Sequence, residues 1–325
     1  WLPLPASAFH FSATLHVVTI SKCDIVDSMV ETLYLPQVRK LGLQHVRISG
    51  HSVHNIIAGC PVLEGLLLKN INCGHDVSIR INSRSLISFG FGFLSRELII
   101  EDAPSLKRLF QLREHFMRNV LVISAPNLEI VGSIYDNNYT KFTFGDTVIQ
   151  QLCAVNLKTA VSSVKTLAID NHNLNLDLVI NFTQCFPRLE KLFYLCVFFV
   201  SLLSQTSNVS GGKNLWRRKY HSRIKYLDIG LKTIVFRNYR GIKSQASFAA
   251  FFILNAKMLQ VMRFEGGPYK DDTEFIERQH RLLQLDKKAS RGAQFQFTTS
   301  TCHSDLPHIK HVHDLSKDDP FKCTC

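Results

Sequence analysis

The 325-residue sequence lacks any apolar run long enough to cross a bilayer. Its most apolar stretch, Leu192 to Leu203, spans 12 residues, against the roughly 20 a membrane helix needs, so it reads as a buried element. It also lacks a Gly-x-Ser-x-Gly elbow, a phosphate loop ending in Gly-Lys-Ser and a His-Glu-x-x-His pair, which leaves hydrolase, nucleotide-triphosphatase and zinc-peptidase chemistry without a motif. The first residues after Trp1 carry neither a basic region nor a long apolar core, so no secretory signal is expected. Nine cysteines, odd in number and scattered through a large chain, point to a reducing compartment, cytoplasmic and/or nuclear, rather than to a disulfide framework. With 46% hydrophobic and 20% charged residues, the composition is that of a folded protein and not of a low-complexity one.

What the sequence does have is a repeat. A frame of the form Pro, any, Leu or Val, any, any, apolar begins at Pro36, Pro61, Pro104, Pro126 and Pro187, with degenerate copies at Ala13, Arg84, Ser162 and Ser222. Most copies are spaced 20 to 25 residues apart, inside the leucine-rich-repeat window of about 20–29. Proline blocks a helix, the first Leu packs inward, and the closing apolar residue begins a short strand of period 2. One such unit cannot bury its apolar face alone, so the units stack into a solenoid with parallel strands, expected near Leu41, Leu66, Phe89, Leu109, Val131, Leu167 and Leu192. Between two frames, Val53, Ile56 and Ile57 at helical spacing with Gly59 as a stop predict a short helical return. The competing reading is an ordinary α/β domain with chance Pro-Leu pairs.

After the last frame the pattern changes. Ile224 to Gly241 holds two strand-like runs, Ser244 is placed to cap a helix carrying Phe248, Phe251 and Phe252, and Leu259 and Met262 continue the same spacing. Thr273 opens a second helix with Ile276, His280 and Leu283 on one stripe, and residues 293–297 alternate like a closing strand.

Charge is concentrated in this half. The net charge is +12, and Gly211 to Lys243 alone carries ten basic residues against one acid, Asp228. Such a stretch could contact nucleic-acid phosphates, with Trp216, Tyr220, Tyr226, Phe236 and Tyr239 as stacking platforms. Half-buried strands also want aromatics, and a solvated basic surface, or one facing an acidic protein, is the simpler reading. In the tail, Cys302, His303, His308, His311, His313, Cys323 and Cys325 could bind zinc chemically, but their spacing does not pair ligands as structural zinc sites do. A flexible His-rich tail is expected, with no metal site and no cofactor. Cys60 in Gly59-Cys60-Pro61 and Cys185 in Cys185-Phe186-Pro187 are read as equivalent places of two repeats and hence as packing residues, and the adjacent acids Glu101 and Asp102 read as a solvated turn. No catalytic residue is assigned and the chain is not expected to be an enzyme.

Several phrases resemble the plant F-box proteins that combine leucine-rich repeats with a carboxy-terminal FBD domain. They are Arg237-Asn238-Tyr239-Arg240-Gly241, Phe251 to Lys257, Leu283-Gln284-Leu285 and Ala289 to Ala293, with Ala58 to Glu64 and Cys185 to Leu192 in the repeats, and the closing Asp314 to Phe321 is similar to tails of grass members. The resemblance implies the substrate-recognition part of a cullin-RING ubiquitin ligase subunit, whose F-box docks on a Skp-type adaptor. No F-box is recognisable before the first repeat, so adaptor binding is expected only if one lies upstream of residue 1. The apolar Cys196 to Leu203 and the polar Gln205 to Gly212 depart from the short polar link of similar proteins. A stand-alone interaction or decoy protein without ligase coupling is the alternative, ahead of a basic nucleic-acid-binding protein.

The expected fold is therefore α/β: an irregular leucine-rich-repeat solenoid over residues 1–205, a basic linker at 206–221, an α+β FBD-like module at 222–297 capping the solenoid, and a tail at 298–325. Partners are expected to be an unidentified protein substrate and no membrane. The residues beside the inward Leu positions should form the concave partner-binding face: Lys40, Gln44, Leu67, Lys69, Arg108, Phe110, Lys191 and Phe193. If open, Leu67, Phe110 and Phe193 would be its apolar centre.

Overall fold

The computed structural model describes residues 1–9, 12–31, 33–74, 77–93, 95–113, 119–135, 140–150, 153–156, 161–171, 174, 176, 184–196, 229–267, 272–299 and 307–322. The chain divides into two compact units, one of residues 1–164 with 304–325 and one of residues 165–303.

In the first unit the strands run, in chain order, β1 (Leu2–Pro3), β2 (Val17–Ser21), β3 (Cys23–Ile25), β4 (Lys40–Gln44), β5 (Arg47–Ile48), β6 (Gly65–Lys69), β7 (Ser78–Asn82) and β8 (Ser88–Gly92). They continue as β9 (Glu97–Asp102), β10 (Arg108–Gln111), β11 (Asn119–Val122), β12 (Ile130–Tyr135), β13 (Lys141–Phe144), β14 (Thr147–Gln150) and β15 (Cys153–Asn156). Helix α1 (Asp27–Val30) is a single turn and α2 (Gly50–Ala58) is the helical return that the Val53 spacing predicts.

The repeat frames become a parallel ladder in the order β2-β4-β6-β8-β10-β12. Register is set by the closing apolar residue of each frame, so that Val18, Leu41, Leu66, Phe89, Leu109 and Val131 stand side by side. All but the first of these are buried.

The frame proline has a more specific role than blocking a helix. The N–H of Val38, Leu63, Leu106 and Leu128 donates to the carbonyl of Leu35, Cys60, Ala103 and Ala125, three residues before. Each proline is thus the second residue of a four-residue turn, where its fixed φ is preorganised. The next two N–H groups of each frame share one acceptor in the preceding repeat: Glu64 and Gly65 on the Arg39 carbonyl, Ile87 and Ser88 on that of Glu64, Lys107 and Arg108 on that of Ile87. That shared carbonyl locks repeat to repeat before the strands themselves pair.

The strands end in a second recurring device. Lys22, His45 and Asn70 directly follow β2, β4 and β6 and have φ of 56°, 51° and 50°. This left-handed residue turns the chain out of the ladder. Among the described residues the returns are then mostly strands, with the single turn α1 and the longer α2 as the helical pieces. β1, β3 and β5 form one parallel sheet, and β7, β9, β11 and β13 form another, extended antiparallel by β14 and β15. Glu101 and Asp102 lie in strand β9 and not in a solvated turn: Glu101 pairs with Arg80 on β7, and Asp102 accepts from the Ser124 hydroxyl. α2 is capped by Ser49, whose Oγ accepts the Ser52 N–H at 3.0 Å.

In the second unit, β16 (Thr166–Asn171), β17 (Lys191–Cys196), β18 (Thr233–Tyr239), β19 (Val261–Gly266) and β20 (Gln294–Thr299) form one parallel sheet. The repeat strands and the carboxy-terminal module therefore share a single ladder, in which Leu167, Leu192, Ile234, Met262 and Phe295 keep the register of the frames. The returns are now helices, α3 (Lys243–Asn255) and α4 (Thr273–Leu283). Phe248 of α3 packs on Tyr194 and Phe236, with ring centroids 4.9 and 5.8 Å away.

Three details differ from the sequence reading. α3 starts at Lys243 behind Ile242, so Ser244 is not its cap, and it ends at Asn255, leaving Leu259 in the next turn and Met262 in β19. α4 presents Gln279 and Leu283 inward, while His280 is exposed. The strand after the last gap begins at Thr233; the frame at Ser222 and the basic linker lie outside the described residues.

Candidate functional site

The period of two assigns faces. Leu41 and Leu43, Leu66 and Leu68, and Phe89 and Phe91 point one way into the core, while positions 40, 42 and 44 and their neighbours point the other way. The outward rows, read across the ladder, are Lys40, Gly65, Ser88 and Arg108, and beside them Thr19, Gly42, Leu67, Gly90, Phe110 and Gly132. From Gly42 on, the second row alternates small with large from strand to strand, which leaves one socket at Gly42 beside Leu67 and another at Gly90 between Leu67 and Phe110.

Residues 307–322 fill those sockets. A Cβ placed on Gly42 would lie 3.6 Å from Val312 Cβ, and one on Gly90 would lie 2.8 Å from Leu315 Cδ2. Phe321 meets Phe110 edge to face at 6.0 Å. The polar contacts come from the first row: Lys40 Nζ donates to Ser316 Oγ at 2.7 Å and Arg108 donates to the Leu315 carbonyl at 3.1 Å. Val312, Leu315 and Phe321 are each 1% exposed or less.

The segment is held in shape from within. Asp314 Oδ2 accepts the N–H groups of Lys310 and His311, both at 2.8 Å, while Oδ1 pairs with Lys317 at 2.8 Å. Partial desolvation would raise the Asp314 carboxyl, but the bonds from Lys317 and from the two backbone N–H groups outweigh it and hold the acid below its usual range. The His308 N–H donates to the Pro320 carbonyl and closes the base of the loop. The flexible tail expected from composition is thus, over residues 307–322, a compact 3-10 turn seated on strands. His308 is buried while His311 and His313 are exposed, and no cluster of three metal-ligating side chains occurs among the described residues. Cys302, His303, Cys323 and Cys325 lie outside them.

The residues expected on the concave face are placed as follows. Lys40, Gln44, Lys69 and Arg108 do stand on the outward side of the first unit, half-buried, and the Gln44 Nε2 is buried with no hydrogen-bond partner among the described residues. Leu67 and Phe110 stand there too, but both are fully buried. The open apolar centre is corrected to a covered one, because Leu315 and Phe321 take the solvent's place. In the second unit Lys191 is exposed and Phe193 is buried. The sequence reading placed Gly42 on this face but missed Val312, Leu315 and Phe321 and the recurrence of the glycine at Gly90 and Gly132; the signal available was a glycine at alternate strands in matching register.

In the second unit the phrase Arg237 to Gly241 acquires a physical meaning. Asn238 and Gly241 have φ of 58° and 69°, and at Asn238, between Arg237 and Tyr239, the chain bulges out of register with β19. Gln245 spans the bulge, accepting from the Arg240 N–H at 2.7 Å and donating to the Asn238 carbonyl at 3.1 Å. Tyr239 donates to Gln279 at 2.7 Å, and Gln279 in turn donates to the Gly241 carbonyl at 3.2 Å. Arg237 pairs with Glu265 at 2.9 Å, nearly buried. Of the ten basic residues in the 211–243 stretch, Lys213, Arg217, Arg218, Lys219, Arg223 and Lys225 lie outside the described residues, whereas Arg237 and Lys232 are committed to Glu265 and Glu190. The network ties α3 and α4 to the end of β18. Cys60 and Cys185 are buried, and burial pushes their thiols up to about 12 and about 11. Cys60 directly precedes its proline, whereas Cys185 stands one residue earlier, so the two are not register equivalents.

Proline-led turns, a ladder of short parallel strands and a face that seats a peptide segment define a leucine-rich-repeat protein whose strands pass on into a β-α-β-α-β module. The chain belongs to the plant F-box/FBD/leucine-rich-repeat family: the repeat model described as "FBD-associated F-box protein At5g56370, LRR repeats" matches residues 1–194, and the FBD model matches residues 221–264. Similar Arabidopsis thaliana proteins include F-box/LRR-repeat protein 13, 24% identical over 60% of this chain and 45% of that protein. FBD-associated F-box protein At1g66310 is 26% identical over 56% and 42%, and F-box/FBD/LRR-repeat protein At1g78750 is 25% identical over 47% and 35%. The matched region thus spans less than half the length of each of these relatives. Among the described residues no helix is long and apolar enough to cross a membrane.

Proposed function

We propose that this chain is the substrate-recognition part of an F-box subunit of a cullin-RING ubiquitin ligase, of the grass type to which Asp314 to Phe321 is similar, working in the cytoplasm or nucleus. Its role is to bind a protein and not to transform one. The F-box names of the relatives support the coupling, which is the task of an F-box docked on a Skp-type adaptor. The observation that carries the recognition role is the outward side of the first ladder: Lys40, Gln44, Lys69 and Arg108 surround Leu67 and Phe110, a polar rim about an apolar centre of the kind protein interfaces favour. Lys191 and Phe193 supply the corresponding positions in the second unit.

The test is binary binding. A protein captured from plant extract is purified, and its affinity is measured for the wild-type chain, for Gln44→Ala with Lys69→Ala, and for Arg47→Ala as a control off this face. A loss of tenfold or more confined to the double variant supports the reading. A genuine partner indifferent to the face substitutions removes the face from recognition. Adaptor pull-down with the 325-residue chain is expected to show no saturable binding, and addition of an F-box is expected to confer it.

A further inference from the structure

We propose that the outward face of the first ladder is a peptide groove and that residues 307–322 are its built-in occupant, so that a partner must displace this segment to bind. The inference rests on the recognition role proposed above and names the chemistry that the face selects. The occupant shows what fits. It is a short turn with two aliphatic side chains three residues apart, Val312 and Leu315, and an aromatic six residues further on, Phe321, each buried. Gly42 and Gly90 admit the aliphatics, Phe110 receives the ring, and Lys40 and Arg108 donate to a hydroxyl and a backbone carbonyl. A partner segment of the same kind, an apolar turn presenting a hydroxyl and a backbone carbonyl oxygen to two cationic donors, takes the same seat.

Two observations separate an occupant from a part of the core. The segment satisfies its own turn, through Asp314, Lys317 and the His308 to Pro320 bond, so its shape does not depend on the face. Lys40 and Arg108 reach it through their side chains, while β4, β6, β8 and β10 pair with one another along the ladder.

The probe is a fluorescein-labelled synthetic peptide of residues 307–322, titrated against the full chain. In the wild-type chain the tethered copy competes at high effective concentration, and weak or no binding is expected. Leu315→Asp, which expels the tethered copy, and Asp314→Ala, which loosens its turn without touching the face, should each bind the peptide at least tenfold more tightly than wild type. Adding Gly90→Val to Leu315→Asp should abolish that binding by filling the socket. Gly42→Cys with Val312→Cys places two Cβ atoms 3.6 Å apart, within the roughly 3.5–4.5 Å a disulfide spans. Oxidised, this variant should bind no peptide, and reduction should restore wild-type behaviour. Should Leu315→Asp lose its cooperative unfolding transition, Asp314→Ala decides. The proposal is overturned if neither released variant gains affinity, if both lose their folded state, if Gly90→Val leaves binding intact, or if the oxidised staple still binds. Failure here with the Gln44 and Lys69 effect intact would leave the recognition role standing and remove only the built-in occupant.

Discussion

Leu315 reaches across to Gly90, its Cδ2 lying 2.8 Å from where a Cβ on that glycine would stand. The same Cβ would stand 3.0 Å from Leu67 Cδ1 on the next strand, so the glycine in β8 is demanded both by its neighbour and by a residue more than two hundred positions later. Gly90→Ala should therefore lower stability by the overpacking range of about 1–3 kcal/mol, read as a shift in the denaturation midpoint. Pairing it with Leu315→Ala should recover part of that loss, and simple additivity of the two would show that they do not share a seat.

The frame leucines form the core. Leu63 is fully buried and Leu189 is 3% exposed, and each closes a proline turn through its N–H. Leu63→Ala and Leu189→Ala should each cost about 2–5 kcal/mol by chemical denaturation. Losses of a few tenths would place them outside the core.

Gly241 and Gly145 both have positive φ, 69° and 54°, but only Gly241 is crowded: a Cβ there would lie 2.5 Å from Gln279 Nε2 and from Phe275. Gly145→Ala should cost only the backbone penalty of about 1 kcal/mol, and Gly241→Ala clearly more. Equal losses by thermal melting would refute crowding as the reason for the glycine in the Arg237 to Gly241 phrase.

Asp27 accepts hydrogen bonds from the Ser49 and Ser52 hydroxyls at 2.6 Å, and these hold its carboxyl below the usual range. A depressed folded-state value means stability that is complete above the unfolded-state pKa of about 3.9 and is lost as the pH falls through the folded value. Asp314 has the same sign. Unfolding midpoints measured from pH 7 downward should fall at the acid end, and less steeply in Asp27→Asn. An unchanged acid limb in that variant would remove Asp27 as a contributor.

Burial raises the Cys60 and Cys185 thiols to about 12 and about 11, so thiolate is scarce at neutral pH and access is closed. Iodoacetamide at pH 8 should leave both unmodified in the native chain and alkylate both in denaturant. Mass mapping that finds either labelled under native conditions would contradict their burial.

The ladder was legible because its signal is short-range: proline, Leu and a closing apolar residue fix a turn and the first strand residue within six positions, and all seven expected strand starts fall in parallel strands. The returns were less so. Strands β7, β9 and β11 are short segments whose partners lie in neighbouring repeats, and only α2 carries enough helical spacing to announce itself. The site was half legible. Period two separates Leu67 and Phe110 from the inward row of Leu66 and Leu109, but their covering by Leu315 and Phe321 depends on contacts about two hundred residues apart, which no local pattern encodes. Ser244 misled for the related reason that Gln245 already satisfies the bulge before α3, and the helix begins without a side-chain cap.

The first unit takes residues from both sides of the second in sequence, and this sets a timetable for synthesis. β10 leaves the ribosome about 200 residues before the 3-10 turn, an interval of roughly 10–40 s at translation rates of about 5–20 residues per second. Throughout that interval the nascent ladder has no residues 307–322 to lay over Leu67 and Phe110. The surface that the finished chain buries is thus the one its synthesis leaves uncovered longest.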